Sequence, residues 1–198
     1  MGRLNLANQT TPATPSAGAT EIFVDSADKL AKQIDDTGAV KIFGINMSTN
    51  LGSAAATSGT TETLLHKATI AANSVKIGDT FNIILSGVSS STGTLIFRVR
   101  VGATGTTGDA QAWVSTTSAA QAANAWGTMQ VLLTVRSIGV GTVQASGVSF
   151  AGAVVLPQLA GAAATASVTT TATWYVDICV TCSVGTFTAH NAIIELLK

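Results

Sequence analysis

The sequence predicts an all-β protein: a C-terminal jelly-roll β-sandwich preceded by an extended N-terminal arm and a small β-meander. Three observations lead there. From residue 62 onward, short apolar or alternating runs recur between Gly/Ser/Thr turns, and period-two alternation marks strands with one buried face. No segment of the chain shows a long helical period. Charged residues make up only 10% of a chain that is 46% hydrophobic. Disorder needs the opposite balance, and ordinary proteins carry about 25% charge. A surface built from Thr, Ser, Ala, Gly and Asn is easily desolvated, so it reads as one meant to be covered by other copies or other proteins.

The elements follow in order. Residues 1–20 form a Thr/Pro/Ala-rich leader in which Pro12 and Pro15 block helix and favour extended chain. Such a segment has no core of its own and gains order only against a partner. Leu4, Leu6, Pro12 and Pro15 are therefore candidate attachment residues. Residues 21–45 read as a meander. EIFVD at 21–25 is a strand, SADK at 26–29 a turn, and LAKQI at 30–34 a strand or one helical turn. DDTG at 35–38 is a strong turn signal, and 39–43 (AVKIF) is a further strand. A unit this small does not fold alone, so Ile22, Phe23, Val24, Ile42 and Phe43 are candidate interface residues that pack on copies of the chain or on another protein. Residues 46–61 (NMSTNLGSAAATSGTT) have linker composition.

Residues 62–198 carry the sandwich. Strands are expected at 63–70, 75–77, 80–85, 94–101, 110–114, 127–138, 142–150, 173–182 and 192–197, with loops at 86–93 and 102–108. In 94–101, Leu95, Phe97, Val99 and Val101 share one face while Arg98 and Arg100 take the other. In 127–138, Met129, Val131, Leu133 and Val135 oppose Gln130, Thr134 and Arg136. Strands at this spacing indicate a sandwich or a jelly roll. Residues 118–125 could form a helical turn, and 152–173 read as loop plus strand.

Several functions are disfavoured. Ten basic residues balance ten acidic ones without a basic cluster, which argues against nucleic acid and against anionic membrane. No span reaches transmembrane length. The opening residues lack a secretory pattern, so synthesis in a cytoplasm is expected. The CVTC pair lies inside a strand, where residues three apart face opposite ways. Cys179 and Cys182 should be two free thiols. His66 and His190 lack partners at metal-ligand spacing, no GxSxG occurs, and the Gly-rich loop 102–108 has no phosphate-cradle context. Asp35, Asp36 and Asp79 read as turn residues. Asp177 lies mid-strand among apolar residues, where Arg98, Arg100 or Arg136 would pair with it. Trp113, Trp126, Trp174 and Tyr175 fit core or interface anchors better than a sugar platform. The sequons at Asn8 and Asn46 matter only in a secreted eukaryotic chain. No catalytic residue, cofactor or metal is expected; the chain reads as non-enzymatic.

Two stretches resemble virion structural proteins of tailed bacteriophages. The first is TPATPSAG at 11–18 with EIFVD at 21–25 and DDTG at 35–38, similar to N-terminal modules in which a Pro/Gly arm leads into a short strand. The second is TETLLHKATIAAN at 61–73, IGD at 77–79, LIFRVRVG at 95–102 and AIIEL at 192–196, which resembles jelly-roll domains of head fibres and tail appendages. The resemblance implies a homotrimer in the virion, anchored to capsid or other virion proteins through its N-terminal part. It fits a capsid decoration protein or head fibre. One alternative is a tail appendage binding host surface glycans. A further alternative, a secreted carbohydrate-binding module, is disfavoured by the missing secretory pattern and the missing paired acid and base residues.

Overall fold

A computed structural model of the 198-residue chain describes residues 8–26, 31–38, 40–42, 46–50, 54–56, 61–90, 92–152, 154–156 and 165–197. No helix occurs among them. The chain divides into two compact units, Met1–Ile45 and Asn46–Lys198.

The first unit is one sheet in the order β1-β2-β3-β4: β1 (Asn8–Gln9), β2 (Thr20–Asp25), β3 (Ala31–Asp35) and β4 (Val40–Ile42). β2, β3 and β4 pair antiparallel as the meander expected, and β3 is strand rather than helical turn. Ile34 stands opposite Glu21, two residues from Phe23, so the two buried side chains share a face. Ile22, on the alternate face, is exposed and Val24 half-buried. The leader differs from expectation. It was expected to find order only against a partner, yet its described part is tied to its own unit. β1 runs parallel beside β2, and the Gly18 amide donates to Asp36 Oδ2 at 2.7 Å. The DDTG turn thus grips the leader, with Pro12 and Pro15 half-buried. Leu4, Leu6 and Phe43 lie outside the described residues.

The second unit contains β5 (Asn46–Asn50), β6 (Ala54–Ala56), β7 (Thr63–Ile70), β8 (Thr80–Ser89), β9 (Leu95–Gly102), β10 (Ala110–Val114), β11 (Trp126–Val135), β12 (Val140–Ala151), β13 (Val154–Leu156), β14 (Thr165–Thr169), β15 (Trp174–Cys182) and β16 (Phe187–Leu197). The smaller sheet has the order β10-β9-β15-β7. The larger has the order β13-β12-β11-β8-β16-β5, with β14 beside β12 and β6 beside β16. The chain crosses between sheets repeatedly, so many sheet neighbours, such as β15 and β7 or β16 and β8, are distant in sequence. Residues 46–61, expected as a linker, instead supply β5 and β6, which pair antiparallel with β16. Their Asn/Ser/Thr/Ala composition looks like a linker because an edge strand held by backbone hydrogen bonds needs few apolar side chains.

One apolar core lies between the two sheets. β8 and β9 alternate buried and half-buried residues along their length. The sheets are keyed by two edge-to-face aromatic pairs, Phe97 on Phe187 and Phe81 on Trp174, each with ring centroids 5.7 Å apart. Space for the Phe187 ring comes from two inward-facing glycines. A Cβ on Gly87 would stand 2.7 Å from that ring, and one on Gly127 2.8 Å. The stretch at 118–125 is not helical. It follows β9 as irregular chain, with Ser118 Oγ accepting from the Leu95 amide and Ser115 Oγ from the Phe97 amide, at 2.8 and 3.0 Å.

Truncating Phe187 to Ala should lower stability in denaturant unfolding by about 3–5 kcal/mol. Gly127→Val, which overfills the same space, should cost about 1–3 kcal/mol.

Candidate functional site on the smaller sheet

β15 lies between β9 and β7 and is buried on both sides for most of its length. Trp174, Val176, Ile178, Val180 and Cys182 enter the core. Tyr175, Asp177, Cys179 and Thr181 alternate with them and take the outer face. Register places Asp177 between Lys67 of β7 and Arg100 of β9, and Cys179 beside Arg98. The alternation read from residues 94–101 therefore delivers both arginines to one charged ladder.

Glu62, just before β7, organises the ladder. Arg100 donates to it from two nitrogens, at 2.6 and 2.7 Å, and Arg98 Nε lies 3.6 Å away. Arg98 also donates to Thr181 Oγ1 at 2.7 Å, and Arg100 to the Asp109 carbonyl oxygen at 2.7 Å. Burial alone would raise the Glu62 carboxyl. The Arg100 hydrogen bonds and charge, with Arg98, outweigh it and hold that carboxyl below the usual range. A two-pronged guanidinium–carboxylate contact is among the stronger polar interactions.

The loop between β9 and β10 folds over this face. Its clasp is the Asp109 carboxylate, which accepts from Thr104 Oγ1 and the Gly105 amide, each at 2.7 Å, and more distantly from the Thr104 amide at 3.3 Å. Partial burial opposes ionisation, but these donors prevail and hold Asp109 below its ordinary pKa. Two glycines permit the approach. A Cβ on Gly102 would overlap the Asp109 carboxyl. Gly105 has φ +63°, and a Cβ there would stand 2.9 Å from the Tyr175 ring. Lys67 meets the loop on the same side, 3.3 Å from that Cβ position, and its Nζ lies 5.2 Å from the centre of the Tyr175 ring.

Asp177 is fully buried, and neither of its carboxylate oxygens has a hydrogen-bond partner. The sequence led us to expect an ion pair with Arg98, Arg100 or Arg136. The structure corrects this: Arg98 and Arg100 are engaged by Glu62, and Arg136 follows β11 in the other sheet. Asp177 faces Asp109 instead. Burial first, and the Asp109 charge second, push its pKa up to about 7, against the pull of Lys67 and Arg100. The neighbouring Cys179 thiol is driven up by burial and by Glu62, which keeps it protonated. Cys179 and Cys182 are both free and buried, on opposite faces as expected. Glu62 and Asp109 escaped the sequence reading because they precede strands rather than alternate within them.

The remaining candidates disperse. Trp113 and Trp174 are core, while Trp126 is 60% exposed at the start of β11, its ring 5.9 Å from the His190 ring. His66 is on β7 of the smaller sheet, so the two histidines belong to different sheets. Asp79 accepts from the Lys76 amide at 2.9 Å, as a turn residue should. Among the described residues, no group of three or more His, Cys, Asp and Glu side chains is placed to hold a metal ion, and no helix is long and apolar enough to cross a membrane.

The outer face of the larger sheet contrasts with the ladder. β8, β11, β12 and β16 contain one Asp, Glu, Lys or Arg among them, Glu195. One cross-strand row reads Val148, Gln130, Ile84, Ile193, and the next Ser146, Leu132, Asn82, Glu195. Trp126, Leu132, Val140 and Phe150 are exposed on these strands.

Replacing Glu62 with Gln should destabilise the protein by about 2–3 kcal/mol, the scale of hydrogen bonds to a charged group. Glu62 and Asp109 have lowered folded pKa values, so their stabilisation is present above the ordinary carboxylate range and lost as pH falls through the folded values. Thermal melts below about pH 4 should show that loss, and Glu62→Gln should show less of it than the parent. A pH slope equal to the parent's would exclude Glu62 from the ladder's energetics.

No protein-family model matches the chain, and neither a curated protein nor a solved structure shows significant similarity to it.

Proposed function

We propose that this chain is a structural component of a tailed-bacteriophage particle, a homotrimeric capsid decoration protein or head fibre anchored through its N-terminal unit. The observation that carries the reading is the outer face of the larger sheet, four long strands wide with one charged side chain. Interface cores are depleted of charge and enriched in tryptophan. Exposed apolar patches mark interaction sites. Trp126 and Leu132 would anchor the contact. The strand order supports the jelly-roll reading: with β6 and the β12–β14 extension set aside, the larger sheet reads β5-β16-β8-β11 and the smaller β7-β15-β9-β10, the two orders of a double Greek key. The separate unit Met1–Ile45 suits a docking module, with Ile22 as an exposed contact. Trimerisation would multiply a weak single contact through effective concentration. The resemblance of residues 11–38 and 61–102 to phage virion proteins points the same way.

A second reading, a tail appendage that binds host glycans, draws on Trp126, whose exposed ring beside His190 could stack on a sugar.

Light scattering on the purified chain should give three times the 19.9 kDa mass, and Leu132→Glu should give the monomer. A monomeric parent would end the trimer reading. Deleting residues 1–45 should abolish co-sedimentation with phage particles yet leave a soluble, cooperatively unfolding sandwich; retained attachment would move the anchor elsewhere. Glycan-array binding lost in Trp126→Ala at unchanged mass would favour the second reading.

A further inference from the structure

The buried acid pair on the smaller sheet has no role in the assembly reading, and its geometry is specific. Asp109 is satisfied as an acceptor: Thr104 Oγ1 and the amides of Thr104 and Gly105 point at its two oxygens. Asp177, fully buried, receives no donor at either oxygen. What it meets is Asp109, a second acceptor, whose carboxyl lies over Gly102 on the same outer face, Gly102 pairing with Tyr175 two residues before Asp177. Two acceptors repel unless a proton lies between them, and a bare buried carboxylate without a donor is strongly disfavoured.

We propose that Asp177 and Asp109 share one proton, which latches the loop between β9 and β10 onto the outer face of the smaller sheet and makes that loop a pH-responsive flap. In the latched form Asp177 carries the proton and donates to Asp109, while Asp109 still accepts the loop's N–H and hydroxyl donors. When the proton leaves to water, two negative carboxylates face each other in a buried site. The loop is the part that can move, because Asp109 belongs to it and Asp177 is fixed in the central strand. It meets the sheet at few points: Gly105 on the Tyr175 ring, Asp109 over Gly102, and the Arg100 bond to the Asp109 carbonyl oxygen.

The surroundings determine where the transition falls. Lys67 from β7 and Arg100 from β9 favour the ionised pair; Arg100 is largely neutralised by Glu62. On β15 itself, Tyr175 carries the loop and Cys179 is a protonated thiol. The balance leaves Asp177 titrating at about 7. The sign follows from linkage. A carboxyl whose folded pKa is raised holds more protons folded than unfolded, so its share of stability declines as pH rises from the ordinary carboxylate range to about 7 and is then level. The flap is closed on the acid side and released on the alkaline side.

The inference is independent of the virion reading and is tested on the full chain. Hydrogen–deuterium exchange, corrected for the intrinsic rate, should show protection of the 104–108 amides falling about tenfold between about pH 6 and pH 8.5, with core strands unchanged. In Asp177→Asn the amide donates permanently to Asp109, and protection should stay high across that range. A pH-independent loop in the parent, or a fall retained in Asp177→Asn, would overturn the proposal. Should that variant misfold, carboxyl-carbon NMR of the parent decides. One aspartate titrating near neutrality supports the shared proton, and none doing so refutes it.

Discussion

The two strands that come late in the chain are inserted between earlier strands of the two sheets. β15 enters between β7 and β9, and β16 between β5 and β8. Neither sheet is complete until these segments arrive, and each brings an aromatic residue that locks the facing sheet: Trp174 against Phe81 and Phe187 against Phe97. The glycines at 87 and 127 admit the Phe187 ring, and they also spare the Thr188 carbonyl oxygen and the Phe97 ring, which a Cβ on Gly87 or Gly127 would meet. The charged ladder and the loop over its outer face explain why β15 is buried on both sides. Only there does an outward-facing residue such as Asp177 lose water while flanked by basic side chains on either neighbour.

The fold class was legible because the core-facing residues keep strict alternation. Leu95, Phe97, Val99 and Val101, and again Met129, Val131, Leu133 and Val135, are all buried as the period-two reading requires. The all-β sandwich follows from such runs. What alternation does not carry is anything held by backbone pairing alone. β5 and β6 have the composition of a linker and become strands because β16 offers a free edge. The site was half legible for a related reason. Arg98, Arg100 and Asp177 announce a polar stripe on apolar strands, but the residues that decide its wiring, Glu62 and Asp109, sit at strand boundaries. Their distance in sequence hides the competition by which Glu62 takes the arginines and leaves Asp177 facing another acid.

The two outer faces of the sandwich divide the polar labour unequally. The smaller sheet concentrates Glu62, Arg98, Arg100, Lys67, Asp109 and Asp177 on three strands and their flanks, where partial burial strengthens Coulomb forces. The larger sheet leaves its outward rows to Thr, Gln, Ser, Asn and aliphatic side chains. A chain with so little charge cannot provide both faces with ion pairs, and it has spent them where they fold a loop rather than where they would keep the broad face solvated.

That broad face fixes the character of any association made through it. With Glu195 as the one charged side chain on its four long strands, there is little field to steer an approaching partner. Encounter would proceed at the unsteered rate of about 10⁵–10⁶ M⁻¹s⁻¹ and would respond weakly to ionic strength. The binding heat capacity would be negative, and the contact would loosen in the cold and tighten in sulfate or phosphate. Assemblies joined this way form slowly, and dilution of salt does little to take them apart.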